Sequence, residues 1–198
     1  LFDAASALRV GHLTIGVAGT FLAIKLLSAL TQRHPGIQVS VLRGNSQEVL
    51  RLILNHRVDV GIFGYVKPDD RLHTIATHRH RLVLMVHREH LWACREGISL
   101  SELDGQKMVF RERGSNARRV FDETLAAKGN IKPIVAMEAE SMAIFREAVA
   151  EGIGVGVIGE QDLVRDPRIQ VLNIENINIG IQTYLACLSA RRHTRLIR

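Results

Sequence analysis

The sequence predicts an α/β fold made of two βαβ-type subdomains joined by two crossover strands. Three observations predict it. Short, β-branched apolar runs alternate with amphipathic helical segments, this alternation stops in mid-chain and starts again, and two further apolar runs can connect the halves. In open sheets of this kind, ligands bind outside the carboxyl ends of the strands, so side chains at strand-to-helix junctions are the candidate ligand contacts.

The first half begins with two strand–helix units. Residues 13–18 form a strand, and Thr20 stands at the start of a helix whose apolar residues follow helical spacing. Residues 37–42 form the next strand, after which Asn45 can cap a second helix in a capping box with Glu48. Because free backbone N–H groups at helix starts attract anions, Thr20 and Asn45 are candidate ligand contacts.

A third strand completes the first half, and a crossover strand then leads into the second half. The nearly continuous apolar run of residues 58–63 is typical of a strand buried on both faces of a parallel sheet. Two more strands are predicted over residues 72–77 and 81–87; the second is one crossover, and residues 183–189 are the other. Two such connections make a hinge, with the ligand in the cleft between the halves. The predicted subdomains are residues 1–80 with 184–198, and residues 81–183.

The second half repeats the alternation. A strand around residues 108–110 leads to a helix that opens at Ser115. Residues 134–137 form the next strand, ahead of a helix that Ser141 caps. The strand over residues 155–158 completes this half.

Four arginines surround the predicted helix start at Ser115. A guanidinium fork beside a helix N-terminus is a bidentate seat for a carboxylate, sulfate or phosphonate, whereas the alternative is an exposed basic face. Glu138 and Glu140 precede the next helix, where they either hold a ligand amine or simply cap the helix. The four arginines are Arg111, Arg113, Arg118 and Arg119.

Several motifs argue against an enzyme. Gly154-x-Gly156-x-x-Gly159 matches the dinucleotide fingerprint in letters, but it follows a helix and runs through a strand, so close packing is the preferred interpretation and no cofactor is expected. His78 and His80 share a strand face without a third ligand, so no metal is expected. No nucleophile lies in a recognisable catalytic motif. The sequence therefore predicts a protein without enzymatic activity.

Composition and charge also restrict the class of protein and its possible partners. The chain has 198 residues, 46% of them hydrophobic, and a net charge of +6 that fits nucleic acid, anionic small molecules or simply a basic surface. The last is favoured because the basic residues are spread along the chain. Cys94 and Cys187 lack metal-ligand spacing and are expected to be free thiols in a reducing cytoplasm. Asp59, at a strand start, is assigned a local hydrogen-bonding role rather than a catalytic one.

Four segments together resemble the effector-binding region of LysR-type transcriptional regulators: LRVGHLTIG (residues 8–16), HPGIQV (34–39), RVDVGI (57–62) and VAEGIGVGVI (149–158). The resemblance covers nearly the whole chain, with the segments in the family's order and spacing. It implies a module of periplasmic-binding-protein type whose N-terminal winged helix-turn-helix is absent here. It also implies that residues 1–7 end the linker and that the chain stops within the last helix.

The resemblance implies the site as well. In the family, the effector contacts the loops after the first two strands and the start of the first helix of the second subdomain. These positions are Thr20, Asn45, Ser46, Arg111 and Ser115. Glu138 is added because it precedes the next helix, where it could hold a ligand amine. The implied function is to sense a small anionic metabolite, a carboxylate, sulfate, phosphonate or zwitterion, in the cleft and so modulate transcription. The alternative is a periplasmic-type solute-binding protein of a transporter.

The resemblance also implies the partners. Two copies are expected to pair antiparallel, with residues 21–33 of one against residues 116–128 of the other, and the full-length protein is expected to form a tetramer. DNA is expected to bind only through the absent domain, because no helix here presents a base-reading face. The protein is expected to be cytoplasmic.

Overall fold

The computed structural model describes residues 11–64, 69–175, 177 and 179–194, without the side chains of Thr20 and Phe21. The chain packs into two compact units. Unit 1 consists of Leu1–His78 and Gln182–Arg198, and unit 2 consists of Arg79–Ile181. The sequence-based boundaries, after residues 80 and 183, each lie two residues further along the chain than these divisions.

Unit 1 is a mixed sheet with one helix on each face. Its elements are β1 (Gly11–Val17), α1 (Thr20–Arg33), β2 (Ile37–Arg43), α2 (Ser46–Leu54), β3 (Val60–Phe63), the first part of β4 (Leu72–His87) and the last part of β10 (Gly180–Leu188). The strands β2, β1 and β3 are neighbours and parallel, and β10 is antiparallel to β3. Because side chains alternate along a strand, Ile62 packs in the α1 core and Phe63 in the α2 core.

Asp59 joins the first and third strands of unit 1. Its carboxylate accepts a hydrogen bond from the Thr14 N–H at 2.8 Å and pairs with Arg191 at 2.7 Å. The Asp59 N–H in turn donates to the Thr14 carbonyl at 2.7 Å. The local hydrogen-bonding role predicted for Asp59 is confirmed. The prediction that the strand starts at residue 58 is wrong by two residues, since Asp59 leads into β3.

Unit 2 has its own sheet and two helices. Its elements are the rest of β4, β5 (Gly97–Ser99), β6 (Lys107–Arg111), α3 (Asn116–Lys128), β7 (Ile134–Ala139), α4 (Met142–Ala150), β8 (Val155–Gly159), β9 (Ile169–Glu175) and the start of β10. The strand order is β4-β8-β6-β7, with β6, β7 and β8 parallel. Strand β9 pairs with β4 and β5. Phe121 on α3 and Phe145 on α4 are fully buried in two separate core clusters.

The strand β4 corrects the sequence-based interpretation. Two strands were predicted over residues 72–77 and 81–87, but β4 is continuous over 16 residues. Pairing with β10 explains the continuity, since the Thr77 hydroxyl donates to the Thr183 carbonyl and the Leu82 N–H donates to the Ile179 carbonyl. The sequence-based interpretation also missed β5 and β9, whose mixed polar sequences give no clear alternation.

The glycines of the fingerprint-like motif serve close packing. A Cβ atom on Gly154 would lie 2.7 Å from the Lys107 carbonyl oxygen, and one on Gly156 would lie 2.7 Å from the Phe145 ring. Strand β8 runs through the motif, and only a three-residue 3-10 turn, Glu160–Asp162, follows it rather than an α-helix. The packing interpretation is therefore confirmed.

Candidate functional site

The four helices differ at their first residues, where anions can bind. Asn45 accepts from the Glu48 N–H at 3.0 Å and Glu48 accepts from the Asn45 N–H at 2.8 Å, so the predicted capping box of α2 is confirmed. Ser141 caps α4, as predicted. The N-cap residues of α1 and α3, Gly19 and Ser115, make no side-chain cap bond, and neither helix has an acidic residue in its first turn. The positive ends of α1 and α3 are therefore the uncompensated ones.

The loops at the carboxyl edge of unit 1 lie side by side. The Gly44 N–H donates to the Val17 carbonyl at 3.1 Å, and the Ala18 N–H donates to the Ile62 carbonyl at 2.9 Å. These bonds bring the loop before α1 next to the loop before α2. Thr20 is the first residue of α1, but its side chain lies outside the described part of the chain, so its predicted role stays a prediction.

Ser46 and Asn45 both have structural partners. The buried Ser46 hydroxyl oxygen accepts from the Gly64 N–H at 3.2 Å, which leaves the hydroxyl proton for another acceptor. The Asn45 oxygen is committed to the helix cap. Ser46 is thus able to donate to an anion, whereas Asn45 retains only its amide NH₂ for that purpose.

Arg111, predicted to bind an anion, is paired within the protein. Its Nε and Nη2 donate to the two Glu112 carboxylate oxygens at 2.8 and 3.0 Å, and the side chains are only 11% and 13% exposed. Its third nitrogen lies 3.7 Å from the Met142 sulfur. The charge of Arg111 is therefore largely neutralised before any ligand arrives, a point that the sequence-based interpretation missed.

Glu138 lies near Arg118, a second arginine that already has an acidic partner. Arg118 pairs with Asp122 at 2.7 Å, and its guanidinium lies 3.9 Å from the centre of the Phe110 ring. The Glu138 carboxylate is 3.8 Å from Arg118 and about half exposed. It can face a ligand cation or remain with Arg118, so its predicted ligand role stays a prediction.

The start of α3 carries buried polar groups. Ser115 and Asn116 are 7% and 8% exposed. The Asn116 side-chain oxygen accepts from Arg119 at 2.9 Å, while its NH₂ group has no hydrogen-bond partner among the described residues. Arg119 also pairs with Glu123 at 2.7 Å. Arg113, two residues before the helix cap, is exposed and makes no hydrogen bond or ion pair within the described ranges.

The turn after β8 holds polar residues that the sequence-based interpretation overlooked. Burial raises the pKa of the Asp162 carboxyl above its usual range, and the guanidinium groups of Arg146 and Arg111 oppose this shift. Arg146 also donates to the Asp162 carbonyl. The neighbouring Gln161 oxygen is buried without a hydrogen-bond partner in the described part of the chain. The sequence signal for these residues was the polar run that directly follows the apolar strand β8, at the carboxyl edge of the sheet.

The described residues form neither a metal site nor a disulfide. Across residues 11–64 and the other described ranges, no group of three or more His, Cys, Asp or Glu residues could hold a metal ion. Cys94 is exposed, Cys187 is buried, and neither is in a disulfide. Within the same ranges, no helix is long and apolar enough to cross a membrane.

The capping box gives a first testable prediction. We expect Asn45→Ala to lower the free energy of unfolding by about 1 kcal/mol, because two backbone N–H groups of α2 lose their acceptors or their geometry. Urea denaturation followed by circular dichroism measures this change. Ser28→Ala, on the exposed face of α1, is the control and should be nearly neutral. A neutral Asn45→Ala would show that the cap does not stabilise α2.

Residues 6–198 match the family of LysR substrate binding domains. The chain belongs to this family. The match spans both units and confirms the resemblance drawn from the four sequence segments. It agrees with an α/β fold of periplasmic-binding-protein type and with a domain that binds small molecules rather than transforming them.

Curated relatives of this LysR substrate binding domain are transcriptional regulators. It is 28% identical over 183 residues to the HTH-type transcriptional regulator CbbR of Xanthobacter flavus, covering 89% of this chain and 54% of the relative. It is 27% identical over 186 residues to the HTH-type transcriptional activator CmpR of Synechocystis sp. PCC 6803, covering 90% and 60%. The chain thus spans between half and three-fifths of these relatives. They support the regulator interpretation over the transporter and the enzyme.

Solved structures show the same fold. The CcmR regulatory domain of Synechocystis PCC6803, determined in complex with 2-PG, has a TM-score of 0.84 at 24% identity and covers 94% of this chain and 92% of its own. The effector binding domain of QuiR, determined in complex with shikimate, has a TM-score of 0.82 at 22% identity, with 91% and 88% covered. At these identities the likeness establishes the architecture of this LysR domain, not its ligand.

Proposed function

We propose that this chain is the effector-sensing part of a LysR-type transcriptional regulator and that small anionic groups of its effector bind at uncapped helix starts, which are those of α1 and of α3. The observation that carries the proposal is the pair of helix starts without a side-chain cap or a first-turn acid, one in each unit. The relatives named as transcriptional regulators support the biological role, and the neighbours determined with 2-PG and shikimate support a small-molecule ligand.

The helix starts differ in how well they can bind an anion, and this difference ranks the predicted ligand contacts. An uncapped N-terminus carries about half a positive charge and several free N–H donors, both of which favour an anion. At α2 the N–H groups of Asn45 and Glu48 are already bonded, and the Glu48 carboxylate repels a second anion. We therefore place Thr20 and Ser115 at the centre of the proposed site, with Ser46 as a neutral donor, and assign Asn45 to the helix cap.

The proposed action is a shift between populations. An effector changes transcription only if it binds one arrangement of the assembled regulator more tightly than another. We propose that the assembled regulator is a cytoplasmic tetramer that binds DNA through a domain outside this chain. The relatives are HTH-type regulators, which supports DNA binding through another domain.

Calorimetry tests the effector site. We expect at least one of 2-PG, shikimate and sulfate to bind, and Thr20→Ala and Ser115→Ala each to weaken that binding about tenfold, since hydrogen bonds to a charged group contribute about 1.5–3 kcal/mol. Thr31→Ala is the matched control, because Thr31 lies on α1 and donates only to carbonyls of its own helix. Unchanged affinity in both site variants would contradict the proposed site.

We further propose that two copies pair antiparallel, α1 of one against α3 of the other. Large apolar side chains are exposed on α1 and on the edge strands β2 and β7, and they are Ile24, Val41, Leu42, Ile134 and Val135. Asp122 and Glu123 on α3 are paired with Arg118 and Arg119 of the same helix, so the exposed apolar surface is what favours this pairing.

Sedimentation tests the pairing. We expect a dimer at protein concentrations of tens of micromolar, on the order of what an interface of standard size sustains. Ile24→Glu should shift the chain towards the monomer, while Ile144→Glu, equally exposed on α4, serves as the control. A monomeric parent chain at these concentrations would contradict the proposed assembly.

A further inference from the structure

We propose that Arg113 supplies the positive charge that binds the effector at the start of α3 and that the group bound there is a carboxylate. This inference rests on the proposed function and specifies the chemistry of the part of the site that lies in unit 2. It replaces Arg111 as the charged contact.

The four arginines around this helix start differ in whether they are paired with an acidic residue. Arg111 is held by Glu112, Arg118 by Asp122 and Arg119 by Glu123, each with a nitrogen-to-oxygen distance of 2.7 to 2.8 Å. Arg113 is exposed and has no acidic partner among the described residues. An anion that approached Arg111, Arg118 or Arg119 would have to displace a carboxylate. At Arg113 it displaces only water.

Two neutral donors lie at the same helix start. The Ser115 side chain makes no hydrogen bond to the helix that it precedes, so its hydroxyl is not committed to a cap. Asn116, the first residue of α3, is 8% exposed, and its NH₂ group lacks a hydrogen-bond partner among the described residues. A buried donor without an acceptor is costly, and a bound anion removes that cost. The orphaned NH₂ group is thus an observation independent of the helix start.

The positive charge available at this helix start restricts the charge of the ligand group. One uncommitted guanidinium matches one negative charge, and its fork matches the two oxygens of a carboxylate. Glu138 lies on the neighbouring strand β7 and remains about half exposed. A doubly charged sulfate or phosphate would bring a second charge that no other unpaired cation among the described residues at this helix start balances. The balance of charge therefore favours a carboxylate over these dianions.

Amide NMR of the ¹⁵N-labelled chain, titrated with acetate and separately with sulfate at constant ionic strength, tests the inference. We expect acetate to shift the N–H signals of residues 116–118, and to do so at lower concentration than sulfate. Arg113→Gln should weaken the acetate response about tenfold, and Arg113→Lys should restore part of it, because lysine keeps the charge without the fork. Arg165→Gln is the matched control, an exposed arginine of unit 2 without a partner in the described residues.

The outcomes separate this inference from the proposed function. An acetate response of Arg113→Gln equal to that of the parent overturns the role of Arg113. A stronger response to sulfate than to acetate at residues 116–118 overturns the carboxylate assignment. Both results leave the calorimetric binding of an effector intact, whereas failure of the proposed function would appear as no binding of any ligand to the parent chain.

Discussion

Replacing Arg111 by alanine is expected to lower the free energy of unfolding by about 3 kcal/mol, because removing one partner of a largely buried pair leaves the other charge uncompensated. The two side chains are 11% and 13% exposed, so Glu112 cannot regain full hydration in place. Urea denaturation followed by circular dichroism measures the loss. The expected result identifies Arg111 primarily as a structural residue at the edge of the proposed site.

Two variants control this prediction. Arg113→Ala, in the same loop but exposed, should change the stability by no more than about 0.5 kcal/mol. The double variant Arg111→Met with Glu112→Leu should recover much of the loss, since it removes both buried charges and retains apolar volume. Equal stability of Arg111→Ala and Arg113→Ala would contradict the assignment.

Gly154→Ala is expected to destabilise unit 2 by about 2 kcal/mol, within the range typical of overpacking. The added Cβ would lie 2.7 Å from the Lys107 carbonyl oxygen and 3.0 Å from its carbon, so strand β6 would have to move. Thermal or urea unfolding measures the effect. Gly159→Ala should cost less, because its Cβ would meet the side chain of His80 rather than backbone. A neutral Gly154→Ala would contradict close packing at this glycine.

Local features were predictable from the sequence because their physics is local. The capping box of Asn45 and Glu48, the Ser141 cap and the end of α3 at Gly129 each depend on residues within one helical turn. The position of Ser115 directly before α3 was predictable for the same reason. The order of strands and helices follows from hydrophobic periodicity, which also predicted most of the parallel sheet.

The chemistry of the site was less predictable. Arg111 and Glu112 are adjacent in sequence, and strand alternation would place them on opposite faces; they meet because β6 ends at Arg111. The sequence also could not separate capping from ligand binding at Asn45, since an oxygen at a helix start serves both purposes. Asp162 was missed because its burial arises from distant elements that meet only in the fold.

A crystal structure of this chain with a bound anionic effector tests the central claim most directly. We predict that oxygens of the effector accept hydrogen bonds, at about 2.7–3.2 Å, from backbone N–H groups at the start of α1 or of α3. We also predict that the capping box of α2 remains closed in the complex. An effector held by the backbone N–H groups at the start of α2, or bound away from both uncapped helix starts, would contradict the account.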